Sequence, residues 1–288
     1  MKRGIDVSSY QGVINWEEVK DQIDFAIIRC GYGANRTTQD DVYFKRNADE
    51  CTRLGIPFGV YLYSYADTIE WSNSEVEHVL RLVEGYQMEY PIYYDIEDKV
   101  QANLSNEALT NIVVNFCEKL ENRGYYVGVY ANFNWWNTKL NASTLDQYAK
   151  WVARYNQVLG YDGAGMWQYT SSGSIRGING NVDMDICYVD YPEAIKKNGL
   201  NGFPKPDVPD NGNGSDKTIE EQLKECQENS QKQIQTLNDK INLLEKENQA
   251  LKEEKENQSI LVFTCEKQGL YYLSLQENDK IFFESGEE

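Results

Sequence analysis

The segment Pro91-Ile92-Tyr93-Tyr94-Asp95-Ile96-Glu97 places two carboxylates at the end of a run with the composition of a buried β-strand. Successive side chains alternate between the faces of a strand, so Asp95 and Glu97 emerge on the same side, separated by roughly 6.5 Å of strand rise. Two close carboxylates can differ in pKa, with one kept protonated while the other stays ionised. The pair is therefore a candidate for acid/base chemistry, although a loop acid or an ion pair also explains many isolated D-x-E patterns.

Strand-like runs alternate with helical patterns on both sides of this segment, which predicts parallel βα units. The first five predicted strands are 4–7, 25–29, 57–62, 91–97 and 126–130, and the predicted helices are 16–22, 43–54, 72–84, 105–122 and 134–140. Three further strand-like runs, 151–154, 165–169 and 184–188, have no amphipathic helix between them. We therefore expect an α/β fold, a TIM-like modified barrel with eight strands and about five helices.

The connection before the eighth predicted strand indicates that this strand runs antiparallel to the others. Residues 170–181 are rich in Ser, Gly and Asn and are too short for a helical crossover, which favours a long-looped hairpin. An antiparallel last strand would bring Asp183, at its beginning, to the same barrel face as Asp6, Asp95 and Glu97. Active sites of such barrels lie at that face.

Composition narrows the classes of partner and cofactor. The 288 residues are 41% hydrophobic and carry a formal charge of −18 without a basic patch, which argues against nucleic acid as a partner. The six cysteines form no C-x-x-C motif and His78 is the one histidine, so zinc sites and His-based triads are excluded and we expect no cofactor. Cys30 and Cys187 lie in apolar strand-like runs, which is typical of reduced core thiols.

The N-terminus and the hydropathy pattern bear on localisation. Met1-Lys2-Arg3 leads directly into the first predicted strand without an apolar segment, and no apolar run approaches the length of a membrane span. We expect synthesis in the cytoplasm without a signal peptide and no membrane insertion.

The last third of the chain has a different organisation from the predicted barrel, 1–200. Residues 201–217 have the Pro and Gly content of a linker, and 218–258 show heptads that predict a coiled-coil helix forming a parallel dimer; the alternative is an isolated charged helix. The heptads place Leu223, Leu237, Leu244 and Leu251 at d and Ile234, Ile241 and Asn248 at a. Residues 259–288 predict a small β module, for which a binding role and a purely assembly role are equally open.

Polar and aromatic side chains cluster near predicted strand ends. Sugar rings stack on the faces of such aromatic side chains. Core filling is the alternative for each aromatic residue taken singly. The candidate substrate-binding residues are Tyr61, Tyr63, Tyr130, Trp151, Arg154, Trp167 and Gln168.

Seven motifs resemble those of the family 25 glycoside hydrolases, the Chalaropsis-type lysozymes, in order over roughly residues 1–195. The motifs are Gly4-Ile5-Asp6-Val7-Ser8-Ser9-Tyr10-Gln11-Gly12, Phe25-Ala26-Ile27-Ile28-Arg29, Gly59-Val60-Tyr61, Tyr94-Asp95-Ile96-Glu97, Trp151-Val152-Ala153-Arg154-Tyr155, Trp167-Gln168-Tyr169 and Asn181-Val182-Asp183-Met184-Asp185. The resemblance implies an N-acetylmuramidase that hydrolyses the β-1,4 bond after N-acetylmuramic acid in peptidoglycan.

By this resemblance, Glu97 is expected to be the general acid/base, Asp95 the second catalytic carboxylate, and Asp6 and Asp183 supporting acids. The second carboxylate could attack the sugar, stabilise an oxocarbenium ion, or orient the substrate's own acetamido group. The D-x-E spacing favours acetamido assistance with net retention, although sequence does not separate the three.

The arrangement of an enzyme, a linker and a C-terminal module resembles a phage endolysin, which implies action on the bacterial cell wall after holin-dependent release. A paired tail would then raise wall retention through effective concentration. Two other readings are a non-catalytic wall-binding and assembly protein that uses the dimeric tail, and an enzyme that acts on another N-acetylhexosamine polymer such as chitin.

Overall fold

The computed structural model of the protein describes residues 1–206, 235, 242, 246, 248–252, 261–264 and 270–273. The chain divides into two units, Met1–Val208 and Pro209–Glu288.

Eight strands of the first unit form a closed barrel in which each strand pairs with the next and the last returns to the first. The strands are β1 (Lys2–Val7), β2 (Phe25–Tyr32), β3 (Phe58–Tyr63), β4 (Ile92–Asp95), β5 (Val127–Asn132), β6 (Ala149–Ala153), β7 (Met166–Gly173) and β8 (Val182–Cys187). Strands β1 to β7 are parallel, and β8 is antiparallel to both β7 and β1. The predicted modified barrel with an antiparallel last strand is confirmed.

Helices cover the outside of the barrel. They are α1 (Trp16–Val19), α2 (Phe44–Leu54), α3 (Ile69–Val83), α4 (Lys99–Ala102), α5 (Asn106–Glu121), α6 (Phe133–Thr138) and α7 (Tyr191–Asn198), and short 3₁₀ turns lie at Ser9–Gln11, Thr37–Gln39 and Ser143–Leu145. Local sequence explains several helix ends. The Ser105 hydroxyl accepts a hydrogen bond from the Ala108 N–H and so caps α5, while Gly55 takes φ +67° to end α2.

Strand alternation separates two apolar layers. The larger one lies between the strands and the helices and includes Ile5, Ile28 and Tyr94, while the smaller one fills the barrel interior and includes Phe25 and Tyr93. Side chains two residues apart lie on the same face of a strand. A strand whose inward side chain packs at one end of the barrel therefore has another inward side chain near the opposite end. That second end carries the polar cleft described below.

Asn201 closes the apolar end of the barrel. Its backbone adopts the left-handed conformation at φ +53°, and its side chain is fully buried. The side-chain amide donates to the carbonyl groups of Met88 and Tyr90, and its oxygen accepts from the Tyr126 N–H. Residues 201–203 therefore belong to the barrel, because Asn201 provides the polar partners that these backbone groups need. The sequence had suggested instead that the linker begins at 201.

The second unit contains two described strands, β9 (Leu261–Thr264) and β10 (Leu270–Leu273), which pair antiparallel. Residues 235, 242, 246 and 248–252 are helical. Most heptad positions on which the predicted coiled coil depends lie outside the described residues, as does the last apolar run of the predicted β module, so both stay predictions. Among the residues that the structure describes, no helix has the length and apolar character needed to cross a membrane.

Candidate active site

A cleft of about 640 Å³ opens at the end of the barrel where the parallel strands finish. It contains all four acids that the sequence singled out, together with an aromatic wall. The acids are Asp6, Asp95, Glu97 and Asp183, and the aromatic residues are Tyr10, Tyr32, Tyr61, Tyr63, Tyr65, Tyr130, Trp151 and Tyr155. Strand topology explains the convergence, because the antiparallel β8 places Asp183 directly opposite Asp6 of β1.

Two predicted binding residues do not line this cleft. The Arg154 guanidinium lies 3.9 Å from the centroid of the Phe133 ring and donates to the Leu159 carbonyl at 2.5 Å. Trp167 packs in the layer between strands and helices, and its indole N–H donates to the Arg154 carbonyl. The physical reason is that successive side chains point to opposite faces of a strand. Ala153 and Gln168, the sequence neighbours of Arg154 and Trp167, occupy the inward positions.

Asp95 and Glu97 experience different environments within the cleft. Asp95 ends β4 and is buried, with an exposed fraction of 4%, and its Oδ1 has no hydrogen-bond partner among the described residues. Burial and the charge of Glu97 hold the pKa of Asp95 well above its usual range, with Arg29 opposing the shift. Glu97 is exposed to solvent at the mouth of the cleft, where partial desolvation and then the charges of Asp183 and Asp98 raise its pKa.

Among the described residues that line the cleft, Arg29 is the one basic side chain, and sequence reasoning did not select it. Its Nε donates to Asp41 Oδ2 at 2.9 Å and its Nη2 donates to the Ser9 hydroxyl at 2.8 Å. These contacts fix a positive charge whose field favours the ionised form of Asp95. Alternation along β2 was the available signal, because Phe25, Ile27 and Arg29 share one face.

Gln168 joins one acid to two tyrosines. Its Nε2 donates to Asp6 Oδ2 at 2.8 Å, and its Oε1 accepts hydrogen bonds from the hydroxyls of Tyr130 and Tyr155 at 3.0 Å and 2.9 Å. Burial, followed by the negative charges of Asp185 and Asp183, holds the pKa of Asp6 well above its usual range. The network orients hydroxyl-bearing side chains along one wall of the cleft.

Asp185 is a buried acid that sequence reasoning quoted in a motif but did not assign to the site. It is fully buried and accepts a hydrogen bond on Oδ1 from the Trp151 indole N–H at 2.8 Å. Its position two residues after Asp183 was the signal, since the alternation that pairs Asp95 with Glu97 also puts Asp183 and Asp185 on one face.

The arrangement combines acids of different solvation with aromatic faces in an open cleft. Desolvated carboxyls with raised pKa values can retain a proton near neutral pH and donate it to a leaving group. Aromatic rings and tyrosine hydroxyls match the apolar faces and the hydroxyl edges of sugars. Among the described residues, no cluster of three or more His, Cys, Asp or Glu side chains is arranged to hold a metal ion.

Comparison with known proteins places the barrel in a family. Residues 5–178 match the family described as glycosyl hydrolases family 25. The chain is 30% identical over 223 residues to the autolytic lysozyme of Clostridium acetobutylicum, an alignment that covers 75% of this chain and 62% of that protein.

Two solved structures share the fold. One is the modular autolysin LytC of Streptococcus pneumoniae, with a TM-score of 0.59, 31% identity and coverage of 65% of this chain and 46% of that one. The other is the CTP1L endolysin, with a TM-score of 0.60, 22% identity and coverage of 68% and 70%. The chain thus spans less than two thirds of the length of the autolytic lysozyme and less than half of LytC.

Proposed function

This chain belongs to glycosyl hydrolase family 25, and we propose that it is a lysozyme of the N-acetylmuramidase type. The reaction is hydrolysis of the β-1,4 bond between N-acetylmuramic acid and N-acetylglucosamine in bacterial peptidoglycan. The observation that carries the proposal is the meeting of Asp6, Asp95, Glu97 and Asp183 in one aromatic-walled cleft.

Glu97 serves as the general acid and then as the general base. Its side chain is more exposed to solvent than that of Asp95, the other acid of the D-x-E motif, so it can reach the glycosidic oxygen of a bound glycan. Its raised pKa favours the protonated form that the first step needs. After the leaving group departs, the resulting carboxylate accepts a proton from the attacking water.

Asp95 acts beside Glu97 by orienting the substrate's acetamido group. Its Oδ1 lacks a partner among the described residues, and an acetamido N–H donated to this oxygen would supply one. That hydrogen bond, with the charge of Arg29 nearby, favours the carboxylate form of Asp95. The acetamido oxygen then attacks the anomeric carbon, which gives net retention of configuration.

The test is release of new reducing ends from purified Gram-positive peptidoglycan by wild type and Glu97→Gln. We expect reduced N-acetylmuramic acid termini from wild type, identified by mass spectrometry after borohydride reduction, and a loss of about 10²- to 10⁴-fold in the variant. Glu77→Gln is the matched control, because Glu77 is exposed on α3, away from the cleft.

Three outcomes would contradict parts of the proposal. Reduced N-acetylglucosamine termini would change the bond cleaved, and faster turnover of chitin would change the substrate. Equal, low activity of wild type and Glu97→Gln would favour the alternative of a wall-binding and assembly protein.

The proposal extends to location and assembly. The enzyme acts on the bacterial cell wall as an endolysin does, after release from the cytoplasm where it is made. From the heptad pattern of the sequence we propose that residues 218–258 form a parallel coiled-coil dimer. For the proposed module at 259–288, retention of the enzyme on the wall and a purely assembly role are both open. Sedimentation of the full chain as a monomer at micromolar concentration would rule out the dimer.

A further inference from the structure

Asp185 lies one layer below the cleft, inside the barrel. It belongs to β8, and its register partners are Gly4 in β1 and Gln168 in β7. Its exposed fraction is 0%, so no solvent stabilises a charge on it. The proposed catalytic chemistry does not use this group, and a buried carboxyl needs a physical reason to persist there.

The contacts of Asp185 leave one of its two buried carboxyl oxygens without a hydrogen-bond partner among the described residues. Oδ1 accepts from the Trp151 indole N–H at 2.8 Å, while Oδ2 has no hydrogen-bond partner among the described residues. Asp6 follows Gly4, the register partner of Asp185, by two residues in β1, so its side chain faces the same interior as that of Asp185. Both carboxyls are buried. A hydrogen bond between two carboxyls requires one of them to carry a proton.

The surroundings favour that proton. The titratable groups that face Asp185 are Asp6 on β1, Asp183 and Cys187 on β8, and Tyr93 on β4. Burial raises the pKa of Asp185 to about 8, the hydrogen bond from the Trp151 indole N–H opposes this shift, and the charge of Asp183 adds to it.

The shared proton connects the barrel interior to the wall of the cleft. Asp6 accepts from the Gln168 amide on Oδ2, and Gln168 accepts from the hydroxyls of Tyr130 and Tyr155. An ionised Asp185 would repel an ionised Asp6. The displacement of Asp6 would in turn disturb Gln168, which holds the hydroxyls of Tyr130 and Tyr155.

We propose that Asp185 is a positioning residue, which shares one proton with Asp6 and thereby holds Asp6 and Gln168 in the geometry that the substrate meets. The positioning role rests on the proposed muramidase function. The shared proton itself does not, since it is argued from the burial of the two acids, their neighbouring positions on β1 and β8, and the unpartnered Oδ2 of Asp185.

Two substitutions of Asp185 separate hydrogen bonding from volume. Asp185→Asn reproduces the protonated carboxyl, because its amide can donate to Asp6 while its oxygen accepts from Trp151. Asp185→Leu fills a similar volume without either hydrogen bond. We expect kcat/KM of Asp185→Asn to stay within about threefold of wild type and that of Asp185→Leu to fall about 10- to 100-fold.

Thermal unfolding against pH tests the shared proton independently of activity. A carboxyl whose pKa is raised on folding contributes stability that is present below its unfolded pKa of about 3.9 and is lost as pH rises through about 8. Asp185→Asn cannot ionise, so its Tm relative to wild type should increase by at least about 3 °C between pH 5.5 and pH 8.5. Asp162→Asn, the same substitution at an exposed position outside the barrel interior, is the matched control.

The outcomes are distinguishable. A Tm difference that does not change with pH overturns the shared proton, whether or not the protein cleaves peptidoglycan. A growing Tm difference together with equal losses of activity in folded Asp185→Asn and Asp185→Leu overturns the positioning role. Wild type without muramidase activity refutes the proposed function, while the Tm experiment still decides the proton.

Discussion

The two ends of the barrel interior are built by the same strands but differ in chemistry. At the closed end, Phe25 stacks on Tyr90 with ring centroids 4.4 Å apart, and the apolar residues around them are sealed by Asn201. At the open end, acids, Arg29 and tyrosines line a cleft. A step of a few residues along one strand changes the environment from packed core to reactive site, so stability and activity are expected to respond separately to substitution.

Asp95→Asn should show the largest effect on activity and the smallest harm to stability. We expect a loss of about 10²- to 10⁴-fold in kcat/KM, since the amide cannot accept the acetamido proton as a carboxylate does. Because the pKa of Asp95 is raised on folding, its ionisation destabilises the folded protein as pH rises, so the Tm of the variant at pH 7 should equal or exceed that of wild type.

Peptidoglycan turnover measures the predicted loss in kcat/KM, and calorimetry measures the predicted Tm. Asp67→Asn provides the control, because Asp67 is exposed after β3 and lies outside the cleft. A variant with both lower activity and a much lower Tm would show that Asp95 serves the fold as well as the chemistry, and so would weaken the contrast between the two ends.

Phe25→Ala should give the opposite pattern. Removing a fully buried ring leaves a cavity at the closed end, and we expect the free energy of unfolding to fall by about 3–5 kcal/mol. The activity of the fraction that remains folded should change little. Urea denaturation together with turnover at 15 °C separates these quantities, and a loss of turnover in folded protein would couple the two ends.

Asn201→Ala should destabilise the barrel less. It removes three hydrogen bonds to backbone groups of the closed end, one accepted and two donated, which corresponds to about 2–3 kcal/mol in the free energy of unfolding. Asn198→Ala on the exposed end of α7 is the comparison variant. If the two variants unfold at the same urea concentration, residues 201–203 behave as linker.

Tyr155→Phe should show the smallest effect, on substrate affinity. The substitution removes one hydroxyl that donates to Gln168 Oε1, while the hydroxyl of the buried Tyr130 still occupies the same acceptor. We expect a rise of about two- to fivefold in KM with little change in kcat. A rise in KM well above fivefold would show that the hydroxyl of Tyr130 alone does not hold Gln168 in place.

Much of the fold was predictable from local patterns. Strand alternation, the short Ser- and Gly-rich connection at 170–181 and the helical periods between the early strands predicted the barrel and its antiparallel last strand, which the structure confirms. The same patterns placed Arg154 and Trp167 among the binding residues, because at a strand end sequence does not decide which neighbouring side chain turns inward.

The sequence by itself determined the family, the identity of the four acids and the strand ends that carry them. Only the tertiary structure decided their environments: Asp95 is buried within the field of Arg29, and Asp185 of β8 is buried beside β1, the strand that carries Asp6. The physical reason is that the ionisation of a carboxyl depends on solvent exclusion and on charges and donors contributed by other strands. Those neighbours are distant along the chain and become defined when the barrel closes.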